Sequence, residues 1–160
     1  MAKKCISVIG SGVATEEELR NAYEVGREIA KKGAVLVCGG LTGVMEAAAR
    51  GAKEAGGLTL GIIPGEDSAT ANPYIDIVIP TGLGVARNVL VVYSGQAVIA
   101  VGGSVGTLSE IAIAFVKGKP VIGLGTWKLE KARTGGNEII PASNAIEAVK
   151  KAFEIIDSRP

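Results

Sequence analysis

The stretch Ala97-Val98-Ile99-Ala100-Val101-Gly102-Gly103-Ser104-Val105-Gly106-Thr107-Leu108-Ser109-Glu110 decides the fold. Residues 97–101 are all apolar and predict a buried strand, and a helical pattern over residues 105–116 follows. Glycines in the turn between them let the chain bend tightly and bring backbone N–H groups against an anion, next to the positive end of the helix. The sequence therefore predicts a strand–turn–helix unit that holds a phosphate.

Other mostly apolar runs have about the same length as residues 97–101. They cover residues 5–9, 34–38, 58–63, 75–79 and 120–124, and residues 138–140 are a short seventh candidate. Strands that are apolar at every position are covered on both faces, which is typical of a parallel sheet between two layers of helices. We expect an α/β fold, a three-layer Rossmann-like doubly wound sheet of six to seven mostly parallel strands, in one domain over residues 1–160.

The helices between these strands have recognisable ends. Thr15 and Glu18 form a capping-box pattern at the start of the first helix, and Gly33 ends it. We predict further helices over residues 43–55, 83–93 and 105–116. A last amphipathic helix over residues 145–156 carries a line of apolar side chains that we expect to face the core: Ile146, Val149, Phe153 and Ile156.

The composition excludes several classes of function. The chain of 160 residues has a formal charge of +1 without any basic cluster, so we expect neither nucleic acid nor a membrane surface as a partner. It has no histidine, which removes serine triads, Cys-His pairs and histidine-ligated metal sites, and we expect no metal. Cys5 and Cys38 are expected to be reduced thiols in strands. With no apolar run that could span a bilayer and no signal peptide, a cytoplasmic location is expected.

Three glycine-bearing turns follow three of the predicted strands. They are Gly10-Ser11-Gly12, Gly39-Gly40-Leu41-Thr42-Gly43 and Gly102 to Thr107. The carboxyl ends of parallel strands share one edge, so these turns can converge on one ligand pocket. The first turn lacks the dinucleotide fingerprint, and no Gly-Lys-Ser or Gly-Lys-Thr occurs, which disfavours NAD and ATPase chemistry.

Two charged residues complete the predicted site. Arg87 opens the third helix beside Asn88 and is a natural fork for phosphate, and Glu110 lies one turn into the helix after the third glycine turn. If the protein is an enzyme, Arg87 and Glu110 are the candidate catalytic residues. The remaining predicted ligand-binding residues are Gly10, Ser11, Gly12, Gly39, Gly40, Thr42, Gly43, Arg87, Asn88, Gly103, Ser104, Val105, Gly106 and Thr107.

These motifs resemble those of the Lonely Guy superfamily, whose signature is Pro-Gly-Gly-x-Gly-Thr-x-x-Glu. The chain matches it without gaps, with Gly102 in place of the proline and Ser104 in place of the second glycine. Residues 38–45 resemble the second motif, a glycine run ending in Val-Gly-Leu-Met, and Arg87 aligns with the catalytic arginine. The histidine and lysine that flank that arginine are replaced by Ala86 and Asn88, and Glu46 stands where a glycine is usual.

The resemblance implies three alternative functions that use one pocket. With these departures, the sequence is most similar to the branch of the superfamily that contains the molybdenum cofactor carrier proteins. This resemblance implies a carrier for a pterin monophosphate or another phosphorylated small molecule. Enzymes of the superfamily are phosphoribohydrolases that cleave the N-glycosidic bond of AMP or of a cytokinin riboside monophosphate. A nucleotide sensor without catalysis is the third alternative. We expect neither lysine decarboxylase activity nor a pyridoxal phosphate or NAD cofactor.

Two further expectations concern self-association and the segment 64–74. Superfamily members assemble through helices beside the pocket, so the resemblance implies a homodimer or homotetramer. The third helix contributes apolar side chains that could pack in the core or at such an interface: Val85, Val89, Leu90 and Val92. The polar segment 64–74 is expected to be a surface loop that could cover the site as a lid.

Overall fold

A seven-stranded sheet forms the centre of the computed structural model, which describes all 160 residues. All strand pairs are parallel, and the strand order is β4-β3-β2-β1-β5-β6-β7. The strands are β1 Cys5–Gly10, β2 Val35–Cys38, β3 Leu58–Ile63, β4 Ile77–Pro80, β5 Ala97–Val101, β6 Val121–Leu124 and β7 Ile139–Pro141. The expected doubly wound parallel sheet is confirmed, and the seventh strand is present.

Five α-helices pack on this sheet. They are α1 Glu16–Lys31, α2 Val44–Glu54, α3 Asn88–Ser94, α4 Val105–Val116 and α5 Ala145–Ser158. The predicted capping box is present at α1, where Thr15 Oγ1 accepts from Glu18 N and Glu18 Oε2 accepts from Thr15 N. Short 3-10 helices occupy Ser68–Thr70, Gly84–Arg87 and Lys131–Arg133. None of the helices is long and apolar enough to cross a membrane.

The core has two layers, one on each face of the sheet. Helices α1, α2 and α5 contribute to the larger cluster, whereas α3 and α4 contribute to the smaller one. The central position of β5 explains why its residues are all apolar. Ala97, Ile99 and Val101 belong to the larger cluster, and Val98 and Ala100 belong to the smaller one. Both faces of the strand are therefore buried, as the unbroken hydrophobicity predicted.

The chain order reverses at the centre of the sheet. From β1 the strands extend outward through β2 and β3 to β4, and from β5 they extend in the opposite direction to β7. β1 and β5 are neighbours, with Gly10 in register with Val101. In open α/β sheets, ligands bind outside the carboxyl ends of the strands at such a switch point. The fold thus places the first and third glycine turns side by side.

Two helix predictions need correction. The helix predicted over residues 83–93 begins as a 3-10 turn, because Gly84 has φ +56° and Ala86 N bonds to Leu83 O three residues back. Val85 is 77% exposed and Leu90 is also exposed, so neither lies in the core. In α5, Ile146 is 65% exposed, because the buried stripe is formed by smaller residues next to it together with Val149 and Phe153: Ala145, Ala148 and Ala152.

Candidate functional site

The loops after β1 and β2 are in direct contact at the carboxyl edge of the sheet. Val44 N donates to Ser11 O at 3.0 Å, and Thr42 Oγ1 donates to Gly12 O at 3.0 Å. Gly43 has φ +67°, and a Cβ there would lie 2.2 Å from Ser11 O. The two loops therefore fit together only with glycine at position 43, and the Thr42 hydroxyl joins them.

The carboxyl edge of the sheet is also tightly packed between β1 and β5. A Cβ at Gly10 would lie 2.7 Å from Val101 O and 2.5 Å from a methyl carbon of Val44. Gly40, with φ +74°, faces β3, where a Cβ would lie 2.7 Å from Ile63 Cγ2. Gly10 and Gly40 thus let the ends of β1 and β2 pack closely against their neighbours β5 and β3.

The loop between β5 and α4 is built on two glycines in unusual conformations. Gly102 has φ +53° and Gly103 has φ +118°. Proline is locked near −65°, so the loop takes a path that the proline of the superfamily signature could not follow. Carbonyl groups of the loop accept from the segment after β6: Thr126 Oγ1 donates to Gly102 O, and Trp127 Nε1 donates to Ser104 O at 3.1 Å.

The first turn of α4 leaves amide groups without helical acceptors. The first bond along the helix runs from Leu108 N to Ser104 O, so the N–H groups of Val105, Gly106 and Thr107 are not used by the helix. Val105 and Gly106 are exposed, whereas the Thr107 side chain is buried and its hydroxyl accepts from Ser104 N at 3.3 Å. This end of α4 is able to accept an anion.

Arg87 is buried, in contrast to an ordinary helix-surface arginine. The side chain is 9% exposed, its Nη1 donates to Asn88 Oδ1, and its Nη2 lies 3.5 Å from Gly39 O. Its buried Nε has no hydrogen-bond partner. Burial lowers the pKa of Arg87, and the negative charge of Glu110 opposes that change. Asn88 and Gly39, both predicted site residues, thus hold the guanidinium in place.

Glu110 is also buried, close enough to Arg87 to be affected by its charge. It is 8% exposed, and burial raises the pKa of its carboxyl from 4.5 to about 7, although the positive charge of Arg87 works in the opposite direction. Cys38 is fully buried nearby, and burial raises the pKa of its thiol to about 11, so the thiol stays protonated at neutral pH. Arg87 and Glu110 are therefore close enough for the charge of each to act on the pKa of the other.

A cavity of about 740 Å³ adjoins this edge on the face that carries α1 and α2. Of the predicted site residues, Gly12 and Gly43 line it, whereas Arg87 and Glu110 do not. The other residues that line the cavity were not predicted from the sequence to contact a ligand: Val13, Ala14, Leu19, Arg20, Tyr23, Glu24, Glu46, Ala47, Arg50 and Tyr74. A signal was available in Gly26 and Gly51, because glycine inside a helix is unfavourable and often marks a close packing contact.

Segment 64–74 reaches this cavity through Tyr74. Asn72 fixes the end of the segment, since its backbone N donates to Gly40 O at 2.9 Å and its Nδ2 donates to Leu41 O at 2.8 Å. The rest of the segment is exposed apart from its ends and contains the 3-10 turn Ser68–Thr70. The anchored end places Tyr74 beside the cavity. That segment 64–74 covers the site as a lid remains a prediction.

Residues 3–152 match the model of the SLOG cluster4 family. The chain belongs to the SLOG cluster4 family. A protein of Archaeoglobus fulgidus is 54% identical over 119 residues, which cover 74% of this chain and 78% of that protein. The family match spans the three glycine turns, Arg87 and Glu110, so all the predicted site residues lie within the family region.

Solved structures of similar proteins agree with the SLOG fold over nearly the whole chain. The molybdenum cofactor binding protein of the phototrophic bacterium Rippkaea orientalis is 41% identical with a TM-score of 0.92, covering 98% of this chain and 99% of that one. The molybdenum cofactor carrier protein of Chlamydomonas reinhardtii is 36% identical with a TM-score of 0.89, covering 99% and 100%. The expected branch of the superfamily is confirmed.

Proposed function

We propose that the protein is a carrier that binds a phosphorylated small molecule at the carboxyl edge between β1 and β5, with the molybdenum cofactor as the first candidate. The observation that carries the proposal is the full-length likeness to the Rippkaea orientalis protein, at 41% identity and a TM-score of 0.92. A carrier has to bind and release its ligand and does not have to catalyse a reaction. A nucleoside monophosphate is the alternative ligand.

The phosphate is assigned to the first turn of α4. The free amides of Val105 and Gly106 can donate to its oxygens, and the helix dipole favours its charge. Ser104 and Gly103 complete the loop around it, and the loops that hold Ser11 and Gly12 form the neighbouring rim through the pairing of β1 with β5. These contacts are mainly to backbone, which explains why glycines are used at so many positions.

Arg87 supplies the positive charge. Its guanidinium is buried, and Glu110 is the acidic neighbour whose charge raises the Arg87 pKa. Because the pKa of Glu110 is about 7, that carboxyl is only partly ionised at neutral pH and leaves a net positive field. An anion such as phosphate would neutralise it, and its oxygens would add acceptors to a guanidinium that has few.

Phosphoribohydrolase activity is the second candidate, and the state of Glu110 favours it. A carboxyl with a pKa of about 7 is suited to proton transfer at neutral pH. In this reaction water attacks C1′ of the ribose, the bond from C1′ to the base nitrogen breaks, and Glu110 takes the proton of the water. The base leaves beside Arg87 with the bonding electron pair and receives the proton from Glu110, which restores the carboxylate.

An incubation with nucleoside monophosphates separates the two functions. Wild-type protein, Glu110→Gln and Arg87→Met are mixed with AMP and related monophosphates, and free base is measured by chromatography. The carrier proposal predicts no release by any of them and retention of the molybdenum cofactor by the wild-type protein. Release of base by the wild-type protein that both substitutions abolish would establish the hydrolase instead.

An apolar surface on the α3 and α4 side supports self-association. The exposed apolar side chains there are Leu83, Val85, Leu90, Tyr93, Val105 and Val116. Exposed apolar side chains that form a contiguous patch are typical of interaction surfaces in soluble proteins. We infer that this surface joins two copies of the chain, as a homodimer or as part of a homotetramer, next to the phosphate site at Val105.

A further inference from the structure

The groove between α1 and α2 is made possible by two glycines. A Cβ at Gly26 would lie 1.9 Å from Ala48 O, and one at Gly51 would lie 2.0 Å from Tyr23 O, so the helices touch backbone to backbone. Towards the amino-terminal ends of both helices lies the cavity of about 740 Å³, which we call the α1/α2 groove. Its volume is in the range of pockets that hold small organic ligands.

Glu46 is a carboxylate in the α1/α2 groove that has no partner in the chain. It is half-buried in the first turn of α2, and no group donates a hydrogen bond to it or pairs with it. Two of the other charges along the groove are paired: Arg50 Nε lies 2.9 Å from Glu54 Oε1, and Glu24 Oε1 lies 3.3 Å from Arg27 Nη1. A half-buried carboxylate without a partner has acceptor capacity for a ligand.

Arg20 is the second charge of the α1/α2 groove that is available. Its Nη1 is 4.0 Å from Glu16 Oε2, and both side chains are largely exposed, which makes this ion pair weak. Glu46 and Arg20 therefore offer an acceptor and a positive charge in one cavity. A ligand that presents N–H donors and also carries a negative group would satisfy both.

Aromatic side chains give the α1/α2 groove walls for a flat ring. Tyr23 is held by its hydroxyl, which donates to Glu54, and by the guanidinium of Arg50, 5.5 Å from its ring centre. Tyr74 is held through its backbone, where its N bonds to Asn72 Oδ1 and its O accepts from Thr59 Oγ1. Tyr23 and Tyr74 both line the cavity, and aromatic side chains favour contact with a flat ring.

We propose that Glu46 recognises the aminopyrimidinone edge of a planar heterocycle held in the α1/α2 groove. In such a ring an N–H and an adjacent NH₂ point the same way, and the two carboxylate oxygens can accept both hydrogen bonds. Pterins and guanine carry this edge, whereas adenine has an acceptor nitrogen beside its amino group and would face the carboxylate with repulsion. This inference rests on the proposed function, because it names the ring of the phosphorylated ligand.

Equilibrium binding to the full chain tests the inference. The ligands are 6-hydroxymethylpterin, which has no phosphate, GMP and AMP, and the proteins are wild type, Glu46→Gln and Glu17→Gln. Glutamine keeps the size of the side chain but replaces one acceptor oxygen with a donor. Glu17 is exposed in the first turn of α1 and outside the groove, so it controls for the loss of one negative charge.

The wild-type protein should bind the pterin or GMP at least about tenfold more tightly than AMP, and Glu46→Gln should lose that preference through a drop of about 10- to 100-fold. Glu17→Gln should behave as wild type. Tighter binding of the pterin than of GMP would identify a pterin as the ligand, because GMP has the additional advantage of its phosphate. Thermal unfolding of Glu46→Gln within a few degrees of wild type would show that the fold is intact.

Equal affinity for GMP and AMP, an unchanged preference in Glu46→Gln, or no binding of the pterin and GMP would overturn the inference. The phosphate site is tested separately with Arg87→Met. If Arg87→Met loses GMP and AMP together while Glu46→Gln changes nothing, the proposed function stands and the role of Glu46 fails. If the pterin binds through Glu46 and Arg87→Met leaves GMP binding unchanged, the phosphate assignment fails and the role of Glu46 stands.

Discussion

Arg87 and Glu110 are both buried at the carboxyl edge of the sheet and each shifts the pKa of the other, yet no nitrogen of Arg87 lies within 4.0 Å of a Glu110 oxygen. Two buried charges of opposite sign that are close but not joined leave both groups short of hydrogen bonds. We expect this arrangement where a ligand completes the network.

Replacement of Glu110 should change how stability depends on pH. Because the pKa of Glu110 rises from 4.5 to about 7 on folding, its stabilising contribution is full below pH 4.5 and is lost as the pH rises through 7. Glu110→Gln, which stays neutral, should therefore become more stable than wild type by up to about 3 kcal/mol at pH 8. Urea unfolding at pH 5 and pH 8 measures the difference.

The exposed Glu17 provides the control for that experiment. Glu17→Gln should differ from wild type by the same small free energy of unfolding at both pH values, since its side chain is in solvent. A gap between Glu110→Gln and wild type that stays constant from pH 5 to pH 8 would contradict the account of Glu110.

Asn88 should act on binding through Arg87. It is 6% exposed, and its Oδ1 accepts a hydrogen bond from the guanidinium. Asn88→Ala removes this acceptor, which should cost about 1–3 kcal/mol of stability and weaken binding of AMP or GMP about tenfold. Calorimetric titration at a temperature where the variant is folded measures the affinity, and Asn21→Ala on α1 is the control. Equal affinities of Asn88→Ala and wild type would show that Asn88 does not position Arg87.

Several features of the site were predictable because local chemistry determines them. The Thr15–Glu18 pattern specifies the start of α1, and the unbroken apolar residues of β5 specify a strand covered on both faces. Parallel strands then require the three glycine turns to share an edge. The burial of Arg87 could not be predicted, because it depends on Gly39, which lies 48 residues away in sequence.

The α1/α2 groove was not predictable for a similar reason. Its walls come from two helices and from Tyr74, which is brought to the cavity by the hydrogen bonds of Asn72 to the β2–α2 loop. The exposure of Ile146 also depends on context, since the helix buries its alanines against the sheet instead. Periodicity identifies an apolar face, but the neighbouring helices decide which residues on it are covered.

Close contact between α1 and α2 should make Gly26 intolerant of any side chain. Gly26→Ala places a Cβ 1.9 Å from Ala48 O, which must separate the helices, and should lower the free energy of unfolding by about 2–3 kcal/mol. Gly106→Ala is the matched control, because a Cβ there meets nothing within 4 Å and alanine favours a helix. Chemical denaturation of both variants measures this, and equal stability of the two would refute the backbone contact.

The exposed apolar surface on the α3 and α4 side should hold two chains together. Val85→Glu adds a charge to this surface and should shift the particle towards the mass of one chain in light scattering. Ile146→Glu changes an equally exposed apolar residue on α5, on the other face of the sheet, and should keep the oligomer. Wild-type protein with the mass of one chain, or dissociation by both substitutions alike, would contradict the assigned interface.

Native mass spectrometry of protein purified from cells that make the molybdenum cofactor tests the central claim most directly. The wild-type chain should carry the added mass of a phosphorylated pterin, Arg159→Met near the carboxyl terminus should carry as much, and Arg87→Met should carry about tenfold less. No added mass on the wild-type chain, or equal loading of Arg87→Met and wild type, would contradict the claim that this edge of the sheet holds the phosphate of a carried ligand.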